Sequence, residues 1–252
     1  MNPSSNSNRG HTPISNARFA TTHWSVVLAA GDRADTQYEC ALQALCQTYW
    51  YPLYAYARHR GHQTPDAEDL IQSFFMRIME KDVLARITRD KGRFRSFLLT
   101  ALNHFRIDEW KQARTEKRGA GRTIVGLEMD QAEERYRHEP VDTTTPETLF
   151  DQNWAVTLLN TVFDQLQQEQ AEAGRGERFK QLKFCLTGQR SAVPYTQLAE
   201  KLNLSEAALK VQVHRLRKRY RELLRQEVAH TVSSPEDIEE EMQHLFEVLS
   251  GG

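Results

Sequence analysis

The chain has 252 residues, of which 39% are hydrophobic and 27% charged, and a formal net charge of −1. That balance is too polar for a membrane-embedded protein and too apolar for one disordered throughout. The longest apolar run is the five residues from Val26 to Ala30, against the roughly 20 that cross a bilayer, and no apolar leader segment opens the chain, so neither anchor nor secretion is expected. Cys40, Cys46 and Cys185 lack CxxC spacing and indicate neither a disulfide framework nor a zinc site, which fits a cytoplasmic location.

Residues 1–20, rich in Ser, Asn, Gly and Thr, are expected to form a disordered tail. A first helix is predicted from Thr22 as N-cap, with Trp24, Val27 and Leu28 on one face. Apolar residues from Ala41 to Ala57 recur every three or four positions through Arg60, and Pro52 is expected to split or kink that helix. Thr64 then reads as an N-cap, Pro65 as the first helical residue, and Asp66, Glu68 and Asp69 as negative charge at the positive end of the helix dipole. Leu70, Ile71, Phe74, Phe75, Ile78 and Met79 give this helix a wide apolar stripe. After a loop from Thr88 to Gly92, a helix is predicted from Phe94 to about Arg114.

Residues 115–145 lose the periodicity and have the composition of a linker, with a short helix near Glu128 to Tyr136. Thr145-Pro146-Glu147 repeats the cap, Pro and acid signal, and Trp154, Leu158, Leu159, Val162, Phe163 and Leu166 follow at helical spacing. Gly174-Arg175-Gly176 ends that helix, and another carries Phe179, Leu182 and Leu186. No alternating strand pattern competes. The expected fold is all-α: two small helical domains, 21–114 and 146–232, joined by a flexible linker, and an acidic amphipathic helix over 233–252.

The near-zero net charge conceals a strong segregation. Between Arg86 and Arg122 eleven bases meet four acids, about +7, and from Ser205 to Arg225 seven bases meet Glu206 and Glu222, whereas Glu227 to Glu247 holds seven acids and no Lys or Arg. Two basic islands suit polyanion binding at two places, although solvated helix faces also carry charge runs.

The second island lies in the most specific local pattern of the chain. Tyr195, Leu198, Ala199 and Leu202 share one face of a short helix, Asn203-Leu204-Ser205 makes a tight turn with Ser205 as cap, and a basic helix follows; this is helix-turn-helix spacing. Leu209, Val213, Leu216, Tyr220 and Leu223 should face inward. The opposite arc holds Ala207, Val211, His214, Arg215 and Lys218, placed to enter a major groove.

From Thr21 to Leu249 the chain resembles the sigma factors of bacterial RNA polymerase, of the small two-domain extracytoplasmic-function (ECF) class. Tyr51-Pro52-Leu53-Tyr54 followed by Asp66-Ala67-Glu68-Asp69-Leu70-Ile71-Gln72-Ser73-Phe74-Phe75 is similar to the family's region two, Gly92 to Leu99 and Ile107-Asp108-Glu109-Trp110 to its promoter-melting part, and Tyr195 to Tyr220 to region four. The resemblance implies a non-enzymatic protein without cofactor or metal, whose partners are core RNA polymerase and promoter DNA on the nucleoid, with an anti-sigma factor as a further candidate partner and no membrane. It assigns Asp69, Gln72, Phe75 and Met76 to the polymerase clamp helices, and the loop and basic face with Arg93, Arg95, Ser96, Asn103, His104, Arg106 and Lys111 to melting and capture of the −10 element. Lys210, Val211, His214, Arg215 and Lys218 are assigned to the −35 element, with Arg215 the best specific reader. The chain departs from the family at Asn103-His104, where Arg and Asn are frequent, and at Ala208-Leu209, where a Thr-Val pair is common.

Two other readings compete. A helix-turn-helix regulator with a helical sensing domain would need neither the Asp69 to Phe75 string nor the basic helix after Gly92. A metal-dependent hydrolase using His59, His62, Asp66 and Asp69 has no supporting motif, and an acidic first helical turn explains the carboxylates without a metal. For the acidic tail, Ile238, Met242, Leu245, Phe246 and Leu249 recur at helical spacing, while Glu239, Glu240, Glu241 and Glu247 form its polar face. Such a helix either completes the core of the second domain or folds back on one of the basic islands.

Overall fold

Trp24 and Val27, 4% and 0% exposed, anchor the first helix, α1 (Trp24–Gly31), to the interior, while Leu28 is 52% exposed and does not share their face. The computed structural model describes residues 23–80, 83–88, 92–113, 129–139, 144–186 and 194–250, excepting the side chains of 80, 109–113 and 129–131. Thr22, the tail and most of the loop after Thr88 lie outside the described residues. Among those described, the secondary structure is ten α-helices with short 3-10 turns and no strand, the all-α class expected.

Helix α2 (Tyr38–His59) is the central element, and it runs unbroken through Pro52. A mid-helix proline removes one ladder hydrogen bond and costs about 3 kcal/mol in isolation. Here fourteen residues of α2, Pro52 among them, are buried, and tertiary burial of this extent outweighs the local penalty. Helix α1 ends against the 3-10 turn Leu84–Arg86, so closely that a Cβ on Gly31 would sit 2.9 Å from the carbonyl carbon and oxygen of Leu84.

Helix α3 (Thr64–Glu80) starts one residue earlier than expected. The Gln63 carbonyl accepts from Ala67 N–H at 2.9 Å, so Thr64 stands inside the first turn, with its hydroxyl bonded to Glu133. Ala67, Leu70, Ile71, Phe74, Phe75 and Ile78 bury its stripe between α2 and α4 (Phe94–Ala113), whose Phe94, Leu98 and Leu102 face the same interior.

Within the expected linker, α5 (Met129–Tyr136) is docked rather than loose. Glu133 accepts from Tyr54 at 2.7 Å and from both arms of the Arg58 fork at 3.0 Å, Tyr51 donates to Glu139 at 2.8 Å, and Arg135 stacks 3.6 Å from the Tyr51 ring centroid while donating to Asn153 at 2.8 Å. Helix α6 (Pro146–Glu172) follows, capped by Thr145, whose hydroxyl oxygen accepts from Thr148 N–H at 3.1 Å. It packs along α2, and Leu149, Phe150, Trp154, Ala155, Leu158, Val162 and Leu166 join one cluster of buried side chains with α1 to α4. Both expected helical domains thus contribute to a shared core.

A second, smaller cluster holds the end of the chain's other module. Helix α7 (Gly176–Leu182), a 3-10 turn through Cys185, α8 (Tyr195–Lys201) and the start of α9 (Glu206–Thr231) enclose Leu182, Cys185, Leu198, Ala199, Leu209 and Val213. The far half of α9 returns to the main core through Leu223, Leu224 and Val228. Helix α10 (Asp237–Ser250) then packs on α6 and α9 with Leu245 fully buried and Ile238, Met242 and Val248 partly so, leaving Phe246 and Leu249 outside.

Candidate nucleic-acid interface

Helices α8 and α9 meet at Leu202 to Ser205. Asn203 takes the left-handed conformation, φ 53°, that a tight turn between helices needs and that Asn tolerates better than most side chains. The Ser205 hydroxyl oxygen accepts from Ala208 N–H at 3.2 Å and fixes the start of α9. Leu209 and Val213 lock α9 onto α8, while Ala207, Val211, His214, Arg215 and Lys218 all face outward, with Val211 50% exposed. Lys210 is also exposed and pairs with Glu206 at 2.5 Å. Arg217, in contrast, donates twice to the Cys185 carbonyl, at 2.8 and 3.0 Å, and ties α9 to the 3-10 turn after α7. Arg219 forks onto Glu169 of α6, and that hydrogen bond holds the Glu169 carboxyl below the usual range.

The first basic island is arranged differently. Gly92 has φ +93°, a conformation side-chain-bearing residues rarely adopt, and so turns the chain into α4. Ser96 and His104 are exposed, and Arg106 is half-buried with a buried Nε that has no partner among the described residues. Next to it His62 is held below the usual histidine range, first by burial and then by the Arg106 charge. Asn103 accepts from the Tyr56 hydroxyl at 2.9 Å, and the Lys111 side chain lies outside the described residues.

Arg95 differs from its expected place. Only 4% exposed, it donates to Asp151 at 3.1 Å, forks onto Glu241 of α10, and lies 4.2 Å above the Trp154 ring centroid. Arg93 also turns to α10, meeting Glu240 at 2.9 Å and Glu241 at 2.8 Å. Periodicity alone could not place Arg95 inside, because its carboxylate partners lie 56 and 146 residues away. The placement of Glu241 was missed for the same reason: the acidic run reads as a solvated face, yet Glu241 is fully buried.

On α3, Asp69, Gln72 and Met76 share a side of the helix, Asp69 exposed and the other two half-buried. Phe75 departs from the expected contact set. It is 6% exposed and packs on Phe74, ring centroids 5.9 Å apart, so it belongs to the interior. Residues 45–116 match the family Sigma-70 region 2. No curated protein and no solved structure matches the chain. The sigma-70 match covers most of α2 and all of α3 and α4, and it supports a role for this segment in RNA polymerase binding and promoter melting. Among the described residues no group of three or more His, Cys, Asp or Glu is placed to hold a metal, and no helix is long and apolar enough to cross a membrane.

Proposed function

We propose that the chain is an ECF-type sigma factor in which the sigma-70 region 2 module works with the helix-turn-helix of α8 and α9. The observation that carries this reading is an order within one chain: a stretch that matches Sigma-70 region 2 comes first, and two helices joined by a tight turn at helix-turn-helix spacing follow. In this reading Asp69, Gln72 and Met76 contact the polymerase clamp helices from the open side of α3. Arg93, Ser96, Asn103, His104, Arg106 and Lys111 neutralise phosphates and hold an unstacked base of the −10 element, and Arg95 joins them once its carboxylate partners release it. Lys210, Val211, His214, Arg215 and Lys218 enter the major groove of the −35 element, where an Arg fork pairs with guanine and Lys with phosphate.

Run-off transcription with core RNA polymerase and genomic fragments tests the proposal. Defined transcripts that depend on the added protein are expected. A chain that neither co-purifies with core polymerase nor changes the transcript pattern, yet binds DNA fragments by itself, would instead be a regulator with a helical sensing domain.

A further inference from the structure

Three consecutive glutamates of α10 reach three arginines on the two basic islands. Glu239 pairs with Arg225 of α9, Glu240 with Arg93 before α4, and Glu241 with Arg93 and with Arg95 on α4. The side chains of Glu239 and Glu240 are 72% and 77% exposed, and burial of the apolar stripe does not require them to point at arginines. Glu241 is 0% exposed, and a buried carboxylate is tolerated only when its charge is compensated, which the two guanidinium groups do here. A guanidinium fork accepts carboxylate and phosphate with the same geometry. The carboxylates of α10 therefore occupy the positions that DNA phosphates would take on Arg93 and Arg95.

We propose that α10 is an internal competitor of promoter DNA: seated on Arg93, Arg95 and Arg225, it closes the −10-binding face of the free protein, and DNA binding through Arg93 and Arg95 requires it to leave. The apolar stripe of Ile238, Met242, Leu245 and Val248 supplies the docking surface, and the three glutamates supply the competition. The proposal rests on the reading of Arg93 and Arg95 as −10 contacts.

Fluorescence anisotropy of a labelled single-stranded oligonucleotide of mixed sequence, with full-length protein and no polymerase, tests it. Glu239→Gln combined with Glu240→Gln changes two exposed side chains and should leave the fold intact; Glu241→Gln removes the buried carboxylate and is accompanied by a thermal melt. A control, Glu236→Gln with Glu247→Gln, removes the same formal charge without touching an arginine pair. The double variant should bind on the order of tenfold more tightly than wild type, with the gain shrinking in high salt, while the control gains much less. Equal affinity of the folded double variant and wild type overturns the proposal, as does a control that gains as much. Retention on immobilised core RNA polymerase separates the two levels of the reading: if wild type is retained and the variants gain nothing on DNA, this inference alone fails, whereas loss of retention by wild type removes the sigma-factor reading and the competition with it.

Discussion

Arg58 and Glu133 meet as a two-bond fork, Nε and Nη2 each 3.0 Å from a different carboxylate oxygen, although 75 residues separate them in sequence. The pair fastens α5 to α2. Burial acts to raise the Glu133 carboxyl, but the hydrogen bonds from Arg58 and Tyr54 prevail and hold it below the usual range.

Removing that acceptor leaves Arg58 and the Tyr54 hydroxyl without their shared partner, so Glu133→Ala should cost about 1–3 kcal/mol, read as a lower urea midpoint. The pH dependence has a definite sign. A carboxylate with a lowered folded pKa contributes stability that is fully present above its ordinary value of 4.5 and is lost as pH falls through the folded value. Wild type should therefore lose stability faster than Glu133→Gln as pH drops below about 4.5, and parallel acid-unfolding curves for the two proteins would contradict the assignment.

On α3 the exposed edge and the buried stripe should respond differently. Asp69→Arg with Gln72→Ala should weaken retention on core polymerase while circular dichroism stays unchanged. Phe75→Ala opens a cavity beside Phe74 and should cost about 3–5 kcal/mol of stability. Unaltered polymerase affinity in the Asp69 and Gln72 variant would remove those residues from the interface.

Helix α9, proposed to enter the major groove, permits a comparison among neighbouring arginines and lysines. Arg215→Ala should cost about 1–3 kcal/mol and relax preference at one upstream base pair, and Lys218→Ala should weaken binding evenly and reduce its salt slope. Arg217→Ala should leave base preference unaltered and lower the melting temperature, since it frees the Cys185 carbonyl. Val213→Asp should unfold this module, because it puts a charge where the side chain is 2% exposed. Binding measurements across a promoter library separate the first two: equal losses on every sequence would mean that neither side chain reads bases.

Gly31 and Gly92 should fail for unlike reasons when changed to alanine. At Gly31 the new methyl would meet the Leu84 carbonyl at 2.9 Å, so overpacking should cost about 1–3 kcal/mol. At Gly92 there is open space, and the cost should be the about 1–2 kcal/mol of a left-handed backbone. Equilibrium unfolding distinguishes them further: Leu84→Ala, which leaves the carbonyl in place, should not rescue Gly31→Ala.

Local signals carried most of the helices, because caps and apolar periodicity act within a few residues. Thr145-Pro146 and Ser205 cap their helices as the sequence indicates. What escaped was decided by partners far along the chain. Pro52 lies inside a continuous helix because α2 is enclosed by its neighbours, and the linker helix is docked because Tyr51, Tyr54 and Arg58 supply polar anchors that no spacing rule detects. Arg95 and Phe75 lie deeper than their spacing suggests: amphipathic patterns separate polar from apolar, but a buried ion pair and a wide apolar stripe both break that correspondence.

Helix α9 belongs to both clusters, its first half to the smaller one with α7 and α8 and its second to the main core. Each residue of an uninterrupted helix advances about 1.5 Å and turns about 100°, so the bearing of Arg215 relative to Val228 is set by the count of residues between them. Inserting or deleting a single residue near Tyr220 would swing the groove-facing arc about a quarter turn out of register with the core. Point substitutions on the outer surface there should be tolerated, whereas a change in length should not: in this stretch the number of residues ties the orientation of one cluster to the other.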